Sequence, residues 1–400
     1  MSPARSARRF WDTYTKDLTA DDFQRLFTRD TREAYDYFAR GIDPAMFSGL
    51  PWHRRLLIQC RLFFIAFTSR LSPARRALFG IAMVAALIGL FQLFQGFGFT
   101  YIRLTPFVNL GLPLPGPTWS HGTFWLFAGF ALVNLLVLLE VADRLTLKHD
   151  LEIAREIQLA MLPRDAFTGR GLEVAGRTRP ANTVGGDLYD IIRLDDDRLM
   201  VVLGDVSGKG SPAALLMALL LAMLRTLAPD DLPLPTLAAR LNRLVFEQAP
   251  GARFITCFLT IIDLRTGALT YVNAGQTPPL LRRQAGAIEK LSTGGIALGM
   301  FDQSVYEQAE SRLAPGDLMV AYSDGITEAE NRAGEPFDED GLERAIQTYG
   351  SSPAPDLART LFTVVEQHAG EMRLADDLTV VVVKRTDVVP PPPPTADERP

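Results

Sequence analysis

The sequence has few of the residues that common catalytic and structural centres require. Of its 400 residues, two are cysteine, Cys60 and Cys257, and four are histidine. The cysteines lie in different segments, so we expect no disulfide framework and a reducing environment for most of the chain. The histidines are scattered without the Cys/His spacing of a zinc site. No Ser/His/Asp set for nucleophilic catalysis is apparent.

The chain also has little excess of one charge over the other, with 41 basic and 46 acidic residues. The net charge of -5 is modest for this length and gives no case for nucleic-acid binding. The length suggests two or three domains. The start of the chain is too charged for a secretory signal peptide. Residues 1–76 therefore form a predicted cytoplasmic extension of unknown role, rich in arginine and apolar residues near its end.

Two long runs without charge follow this extension. They predict membrane-spanning helices at about 77–98 and 122–140, which together make a hairpin over residues 77–141. The Pro/Gly-rich stretch between them predicts a short outside loop. Arginines before the first run, and Arg144 and Lys148 after the second, place both chain ends in the cytoplasm. The alternative is a buried helical hairpin in a soluble protein, but two such uncharged runs are uncommon there.

A helical pattern without internal Pro or Gly continues out of the second run, and Leu162-Pro163 ends it. Residues 142–165 are thus a predicted linker helix. Its apolar stripe is short for a coiled coil, which leaves open whether it forms a homodimer seam.

The pattern changes to short strands and helices over residues 166–386. Pro212 is a good helix start, and the uncharged run after it is too short for a membrane span and predicts a buried helix. The Pro-rich residues 387–400 predict a disordered tail. The expected strands are 172–176, 188–194, 199–203, 254–262, 269–272, 318–322 and 378–383, and the expected helices are 212–227, 234–248, 340–349 and 354–369.

Four acidic clusters next to strands carry the candidate chemistry. Their carboxylates have no matching cluster of Lys or Arg, and such groups brought together repel one another unless a cation is bound. Ligand sets of oxygen alone select hard ions, Mg²⁺ or Mn²⁺. The run Gly-Asp-Val-Ser-Gly-Lys-Gly (204–210) lacks the spacing of a nucleotide-binding P-loop. The acidic members are Asp187, Asp190, Asp205, Asp324, Glu328, Asp376 and Asp377.

These segments resemble the SpoIIE/RsbU-type branch of the metal-dependent, protein phosphatase 2C-like (PPM) Ser/Thr phosphatases. The resemblance covers about residues 150–385 and rests on six motifs in order. They are Glu-Ile-Gln-Leu-Ala-Met-Leu-Pro (156–163), Val-Gly-Gly-Asp-Leu-Tyr-Asp (184–190), Gly-Asp-Val-Ser-Gly-Lys-Gly (204–210), Asn-Ala-Gly-Gln-Thr-Pro-Pro (273–279), Tyr-Ser-Asp-Gly-Ile-Thr-Glu-Ala (322–329) and Asp-Asp-Leu-Thr (376–379).

The resemblance implies an α+β fold, a central antiparallel β-sandwich flanked by helices on both faces, with two divalent metal ions, Mn²⁺ or Mg²⁺, at one end. Asp205 would bridge the metals with the carbonyl of Val206. Asp324 and Asp376 would hold one metal, with Asp377 in reserve for Asp376, and Asp187 would bind directly or position water. Asp190 and Glu328 are expected to support the metal ligands or to be structural.

Substrate contacts are less defined by the resemblance. Arg177 and Arg179 are candidates for the substrate phosphate, although a surface salt bridge is the simpler expectation for each. Eukaryotic members of the class have a histidine two positions after the bridging aspartate, a proposed general acid. Ser207 stands there in this chain, which leaves the general acid undefined.

The predicted function is therefore a membrane-anchored phosphatase in which a two-metal-activated water hydrolyses phosphoserine or phosphothreonine on a bacterial regulatory protein of the anti-sigma-factor antagonist type. The predicted location is the bacterial inner membrane, multi-pass, with the lipid bilayer and the phosphorylated protein as partners. The alternatives are a hydrolase of the same fold that acts on a small phosphorylated molecule, and a catalytically silent membrane scaffold.

Overall fold

The computed structural model describes residues 71–94, 97–103, 111–117, 119–249, 253–370, 372 and 374–386, together with scattered positions from 51 to 68. The chain divides into two compact units, residues 1–145 and 146–400. The predictions for most of the N-terminal extension and for the Pro-rich tail lie outside the described residues.

Two long helices dominate the N-terminal unit. Helix α1 is Pro73–Phe94 and helix α2 is Trp119–Met161. Glycines let the two backbones approach closely: a methyl group on Gly89 would lie 2.8 Å from the carbonyl oxygen of Gly122, and one on Gly129 would lie 3.0 Å from that of Ala82. Small residues at the contact are typical of helix pairs in membranes.

The large apolar side chains of this unit point away from the helix contact. Leu87, Phe91, Phe127, Phe130 and Leu138 are all exposed in the structure. By length and composition, three helices of the described chain could cross a membrane: Pro73–Leu93, Gly122–Met161 and Ser211–Asp230. The first covers most of the predicted span 77–98 and the second contains the predicted span 122–140, whereas the third has its apolar face in the core of the C-terminal unit.

The connection between the two spans differs from the predicted loop. Strand β1 (Phe97–Arg103) pairs antiparallel with strand β2 (Gly111–Pro117). Helix α1 therefore ends at Phe94, before the end near residue 98 that was predicted for the first span, because an aromatic and β-branched run favours a strand there. Prolines are accepted in β2 because each strand of a two-stranded sheet has an unpaired edge.

Helix α2 runs without a break from the second predicted span into the linker, as expected from the absence of Pro and Gly. Arg75 at the start of α1 pairs with Glu140 at 3.1 Å and Asp143 at 2.6 Å. Charged groups are thus concentrated at this end of the helix pair. The homodimer seam along the linker stays a prediction.

The C-terminal unit is built on two six-stranded sheets. The first has the order β10-β9-β13-β14-β4-β3; the second has the order β11-β8-β7-β6-β5, with β12 also on β8. Pairing is antiparallel except between β11 and β8. The strands are β3 Phe167–Gly169, β4 Leu172–Arg179, β5 Leu188–Arg193, β6 Arg198–Val206, β7 Ile255–Asp263, β8 Ala268–Ala274, β9 Leu280–Arg282, β10 Ile288–Lys290, β11 Gly294–Gly295, β12 Ala309–Arg312, β13 Leu318–Tyr322 and β14 Leu378–Arg385.

Helices cover the outer faces of both sheets. They are α3 Ser211–Leu227, α4 Leu234–Gln248, α5 Asp324–Thr327, α6 Asp338–Tyr349 and α7 Ala354–Ala369. Helices α3 and α4 pack in one core with the second sheet, and α6 and α7 pack on the first. Strand β14 illustrates the layering, since Val381 and Val383 lie in the core between the sheets and Val380 and Val382 lie under the helices.

This architecture confirms the predicted α+β sandwich with helices on both faces. Every expected strand and helix of the C-terminal unit is present, and α3 begins at Ser211 with Pro212 in its first turn. The prediction missed the short strands β3 and β9–β12. Their two to four residues are too few for a periodic signal.

Candidate active site

The four acidic loops lie where β5, β6, β13 and β14 begin or end. A methyl group on Gly186 would lie 2.9 Å from the carbonyl oxygen of Val206 and 3.3 Å from Asp205 Oδ1. A methyl group on Gly325 would lie 2.1 Å from the carbonyl oxygen of Asp377. These positions accept only glycine, and the close approach brings the predicted ligands together.

Asp187 and Asp205 form the first acidic pair. Asp187 precedes β5 and is buried, and its Oδ2 has no hydrogen-bond partner. Asp205 lies near the end of β6, close enough to Asp187 for its charge to act on that carboxylate. The adjacent carbonyl of Val206 faces Gly186, so three oxygen-bearing groups converge on one small region.

Asp324 and Asp376 form the second pair. Asp324 starts the single-turn helix α5 directly after β13, and Asp376 precedes β14. Lys209, from the turn between β6 and α3, lies with its Nζ 2.8 Å from Asp376 Oδ2. The same ammonium group donates to the carbonyl oxygen of Ala375 at 2.5 Å.

Asp377 holds the backbone of the loop before β5. Its Oδ1 accepts from the N–H of Ala181 at 2.7 Å, and its Oδ2 accepts from those of Gly186 at 2.6 Å and Asp187 at 3.4 Å. Both oxygens of this buried carboxylate are therefore engaged. These contacts give Asp377 a positioning role, and the partly exposed Asp376 stays a predicted cation ligand.

The carboxylates destabilise one another's ionised forms. Burial, with the charges of Asp205 and Asp377, raises the pKa of Asp187 well above its usual value. Burial and the charges of Asp324 and Asp376 raise the pKa of Asp205 to about 7. Burial and Asp376 also raise the pKa of Asp324. A positive charge close to these carboxylates would stabilise their ionised forms and offset the repulsion between them.

The residues present fit divalent cations. An orphaned, buried Asp187 oxygen lies beside Asp205 and an approachable backbone carbonyl, and oxygen donors suit Mg²⁺ and Mn²⁺. Among the described residues, no three Asp, Glu, His or Cys side chains form a complete ion cage. Pairs of carboxylates are nevertheless sufficient for Mg²⁺, which retains several waters of its own.

The two acids expected to be structural have different surroundings. Asp190 is buried and accepts from Arg225 Nε at 2.7 Å, and Arg225 also donates to the carbonyl oxygen of Met161 at 2.6 Å. This network ties the end of α2 to α3 and β5, as a structural role requires. Burial and the charges of Asp324 and Asp376 raise the pKa of Glu328, which places it at the edge of the cluster.

Gln158 is a positioning residue that the sequence reasoning did not single out. From the linker part of α2, its Nε2 donates to the carbonyl oxygen of Gly185 at 2.7 Å, and its Oε1 accepts from the Gly185 N–H at 3.1 Å. The backbone two residues before Asp187 is thus held by the linker. The only signal was its place within the Glu-Ile-Gln motif.

We expect Gln158→Ala to lower the free energy of unfolding by about 2 kcal/mol, because it leaves both backbone groups of a buried glycine unpaired. Thermal melting of the full chain in detergent measures the loss. Glu156→Ala, at an exposed position on the same helix, is the matched control. Equal melting temperatures for the two variants would contradict a positioning role for Gln158.

The two candidate phosphate-binding arginines lie on the helix-covered side of β4. The Arg177 guanidinium lies 5.5 Å from the ring centre of Phe362, and Arg179 pairs with Glu366 at 2.5 Å. Arg179 also lines an open cleft of about 590 Å³. The cleft is bounded by Leu151, Arg155, residues 179–184, Gly210 and Ser211, so it adjoins the loop that leads to Asp187.

Ser207, which stands where the eukaryotic relatives have histidine, is engaged by the backbone. Its N–H donates to the carbonyl oxygen of Phe254 at 2.9 Å, and its Oγ accepts from the Phe254 N–H at 2.9 Å. This hydroxyl fixes the turn after β6 against the start of β7. The arrangement gives it no evident part in proton transfer to a leaving group.

A comparison with known protein families matches the part of the chain that carries most of these acidic residues. The family model described as Stage II sporulation protein E (SpoIIE) matches residues 195–386. That range contains Asp205, Asp324 and both adjacent aspartates, whereas Asp187 lies just before it. This match supports the SpoIIE/RsbU branch of the PP2C-like phosphatases for residues 195–386, called the SpoIIE-like domain below.

Relatives and solved structures extend the match upstream. Protein IcfG of Synechocystis is 30% identical over 243 residues, 54% of this chain and 38% of that protein. Phosphoserine phosphatase RsbU of Bacillus subtilis is 27% identical over 237 residues, 59% of this chain and 70% of RsbU. The SiaA-PP2C domain of Pseudomonas aeruginosa superposes with a TM-score of 0.54 at 22% identity, covering 61% of this chain and 98% of that domain, which supports the fold of the SpoIIE-like domain.

Proposed function

We propose that the protein is a membrane-anchored, metal-dependent phosphatase of phosphoserine and phosphothreonine in a regulatory protein. The observation that carries this proposal is that Asp205 interacts with Asp187, Asp324 and Asp376, beside the Val206 carbonyl and a buried Asp187 oxygen that has no hydrogen-bond partner. Membership of the SpoIIE/RsbU branch supports the reaction class. Mg²⁺ or Mn²⁺ is used generally by PP2C-like phosphatases.

Each acidic residue has a defined part in this proposal. Asp187, Asp205 and the Val206 carbonyl would hold one cation, and Asp324 and Asp376 a second, with Asp205 between the two. Asp377 keeps Asp187 in place through the backbone of the loop. Bound divalent ions supply an activated water and stabilise negative charge on the transferring phosphoryl group.

The cleft beside this site suits a phosphorylated side chain presented by a protein. It is open, Arg155 and Arg179 line it together with the polar residues Asn182, Thr183 and Ser211, and it adjoins the loop before Asp187. An arginine of this kind can bind a phosphate or an acidic neighbour of the phosphorylated residue. We therefore propose a folded regulatory protein of the anti-sigma-factor antagonist type as the substrate.

Comparing substrates at equal concentrations tests this assignment. With the full chain in detergent and Mn²⁺, we expect phosphate release from a phosphoserine-bearing regulatory protein at a kcat/KM at least about tenfold above that for an aryl phosphate or a free phosphorylated metabolite. That preference reflects contacts beyond the reacting group. Higher efficiency with the small molecules would favour the small-molecule hydrolase instead.

The anchor is proposed to be the hairpin of α1 and the first half of α2, in the bacterial inner membrane. Its exposed apolar side chains and glycine-mediated helix contact support this location. The arginine-rich sequence before the first helix supports a cytoplasmic location for that end of the hairpin, and we propose the same compartment for the SpoIIE-like domain.

Fractionation of cells expressing the full chain checks the anchor. We expect the protein in the membrane fraction, resistant to high salt and alkaline carbonate and released by detergent, because salt weakens surface charge contacts but not a helix that spans the bilayer. A variant lacking residues 77–141 is the control and should leave that fraction. Release of the full chain by carbonate alone would contradict a spanning hairpin.

A further inference from the structure

Lys209 lies inside the acidic cluster although the proposed chemistry assigns it no part. Its Nζ is 2.8 Å from Asp376 Oδ2, and its charge also acts on Asp324 and Glu328. The side chain of Lys209 is 51% exposed and that of Asp376 34%. The ammonium group therefore enters the cluster from its solvent side.

The backbone around Lys209 is built for this placement. Gly208 and Gly210, on either side, have φ values of +98° and +76°, a region that L-residues other than glycine rarely adopt. The turn between β6 and α3 thus takes a sharp course that carries the lysine stem across to the loop before β14. There the ammonium group also donates to the carbonyl oxygen of Ala375.

A divalent ion and a lysine ammonium group cannot share the same face of Asp376. Both are cations, and their repulsion at a separation of a few ångström is substantial even near a protein surface. One oxygen of Asp376 already accepts from the N–H of Asp377. The other, Oδ2, is the oxygen that Lys209 holds.

We propose that Lys209 is a resident counter-ion of the acidic site, which occupies Asp376 when no divalent ion is bound and must leave before one binds there. The inference rests on the proposed cation role of Asp376. The ion pair between Lys209 and Asp376 makes the affinity of the site for a divalent ion lower than it would be with the carboxylates alone. The displaced ammonium group, still tethered at the rim, then becomes available to an anionic substrate.

Calorimetric titration of the full chain in detergent with Mn²⁺ tests this competition. Replacing Lys209 by Met keeps the length of the stem and removes the charge. We expect Lys209→Met to bind Mn²⁺ about three- to tenfold more tightly than the wild type, because the competing cation and its repulsion are gone. Lys209→Arg, which keeps the charge, is expected to bind no more tightly than the wild type.

Lys290→Met is the matched control for net charge. Lys290 is 52% exposed, nearly the same as Lys209, but it pairs with Glu339, outside the cluster. We expect its Mn²⁺ affinity to equal that of the wild type. Thermal melting of each variant without metal verifies that the fold is retained.

The possible results distinguish a failure of the counter-ion role of Lys209 from a failure of the proposed phosphatase function. Unchanged or weaker Mn²⁺ binding by Lys209→Met, with the wild type binding normally, overturns the counter-ion role and leaves the phosphatase intact. Weaker binding in particular would mean that Lys209 orders the loop that carries Asp376. A wild-type chain that binds no Mn²⁺ would overturn both the inference and the proposed function.

Discussion

Replacing Asp205 by Asn is expected to lower kcat/KM for a phosphoserine substrate by about a thousandfold, because a group aimed at developing charge in a reaction commonly contributes two to three orders of magnitude. Asp205 lies between the two acidic pairs, so the substitution removes an oxygen donor from both proposed cation positions. The amide keeps the shape of the side chain. Phosphate release with the full chain and saturating Mn²⁺ measures the effect.

Loss of fold would not explain this result. The pKa of Asp205 is raised to about 7, so near neutral pH its ionised form opposes folding when no metal is present. That opposition is relieved as the pH falls from about 7 towards the unfolded value near 4, and it is absent in the Asn variant. We expect Asp205→Asn to melt no lower than the wild type in metal-free buffer.

Asp196→Asn is the matched control for this experiment. Asp196 lies in the exposed turn between β5 and β6 and pairs with Arg193, three residues away. The same chemical change there should leave kcat/KM within a factor of two. If Asp205→Asn retained wild-type activity while folded, the carboxylates would not be the catalytic centre.

Replacing Asp377 by Ala is expected to have the largest effect on stability. The buried carboxylate accepts from the N–H groups of Ala181 and Gly186, and the variant leaves both without a partner. We expect a loss of about 3 kcal/mol in the free energy of unfolding, or about 8 °C in melting temperature for a domain of this size. Scanning calorimetry of the full chain without metal measures it.

Replacing the neighbouring Asp376 is expected to have the opposite pattern of effects on stability and on Mn²⁺ binding. Asp376 is partly exposed and pairs with one lysine, so Asp376→Ala should change the unfolding free energy by less than about 1 kcal/mol. It should, however, weaken Mn²⁺ binding by at least about tenfold, which Asp377→Ala does only through the displaced loop. The reverse pattern, a stable Asp377→Ala without Mn²⁺ binding, would shift the ligand assignment by one residue.

Asp376 and Asp377 also show which features of the site could be predicted from the sequence and which could not. The strong strands, the buried helix after Pro212 and the proximity of the acidic clusters were predictable, because each depends on local pattern or on several motifs in order. The different surroundings of Asp376 and Asp377 were not predictable. Asp377 accepts from backbone N–H groups of a loop almost two hundred residues earlier in the chain, and no local pattern encodes that contact.

Other features were hidden for related physical reasons. The part played by Gln158 depends on how the linker packs on the loop before β5, and the pairing of Lys209 with Asp376 depends on two glycine conformations. The hairpin of β1 and β2 was missed because proline and glycine ordinarily predict a loop. The aromatic and β-branched residues of β1 favour a strand in spite of the neighbouring prolines and glycines.

The most direct test of the account is the number of Mn²⁺ ions that the full chain binds, measured by calorimetry together with electron paramagnetic resonance. The account predicts two ions close enough to be magnetically coupled, with the coupling lost in Asp205→Asn because the residue between them no longer joins them. A folded wild-type chain that binds no Mn²⁺, or binds it unchanged in Asp205→Asn, would contradict the claim that these carboxylates form the metal centre of a phosphatase.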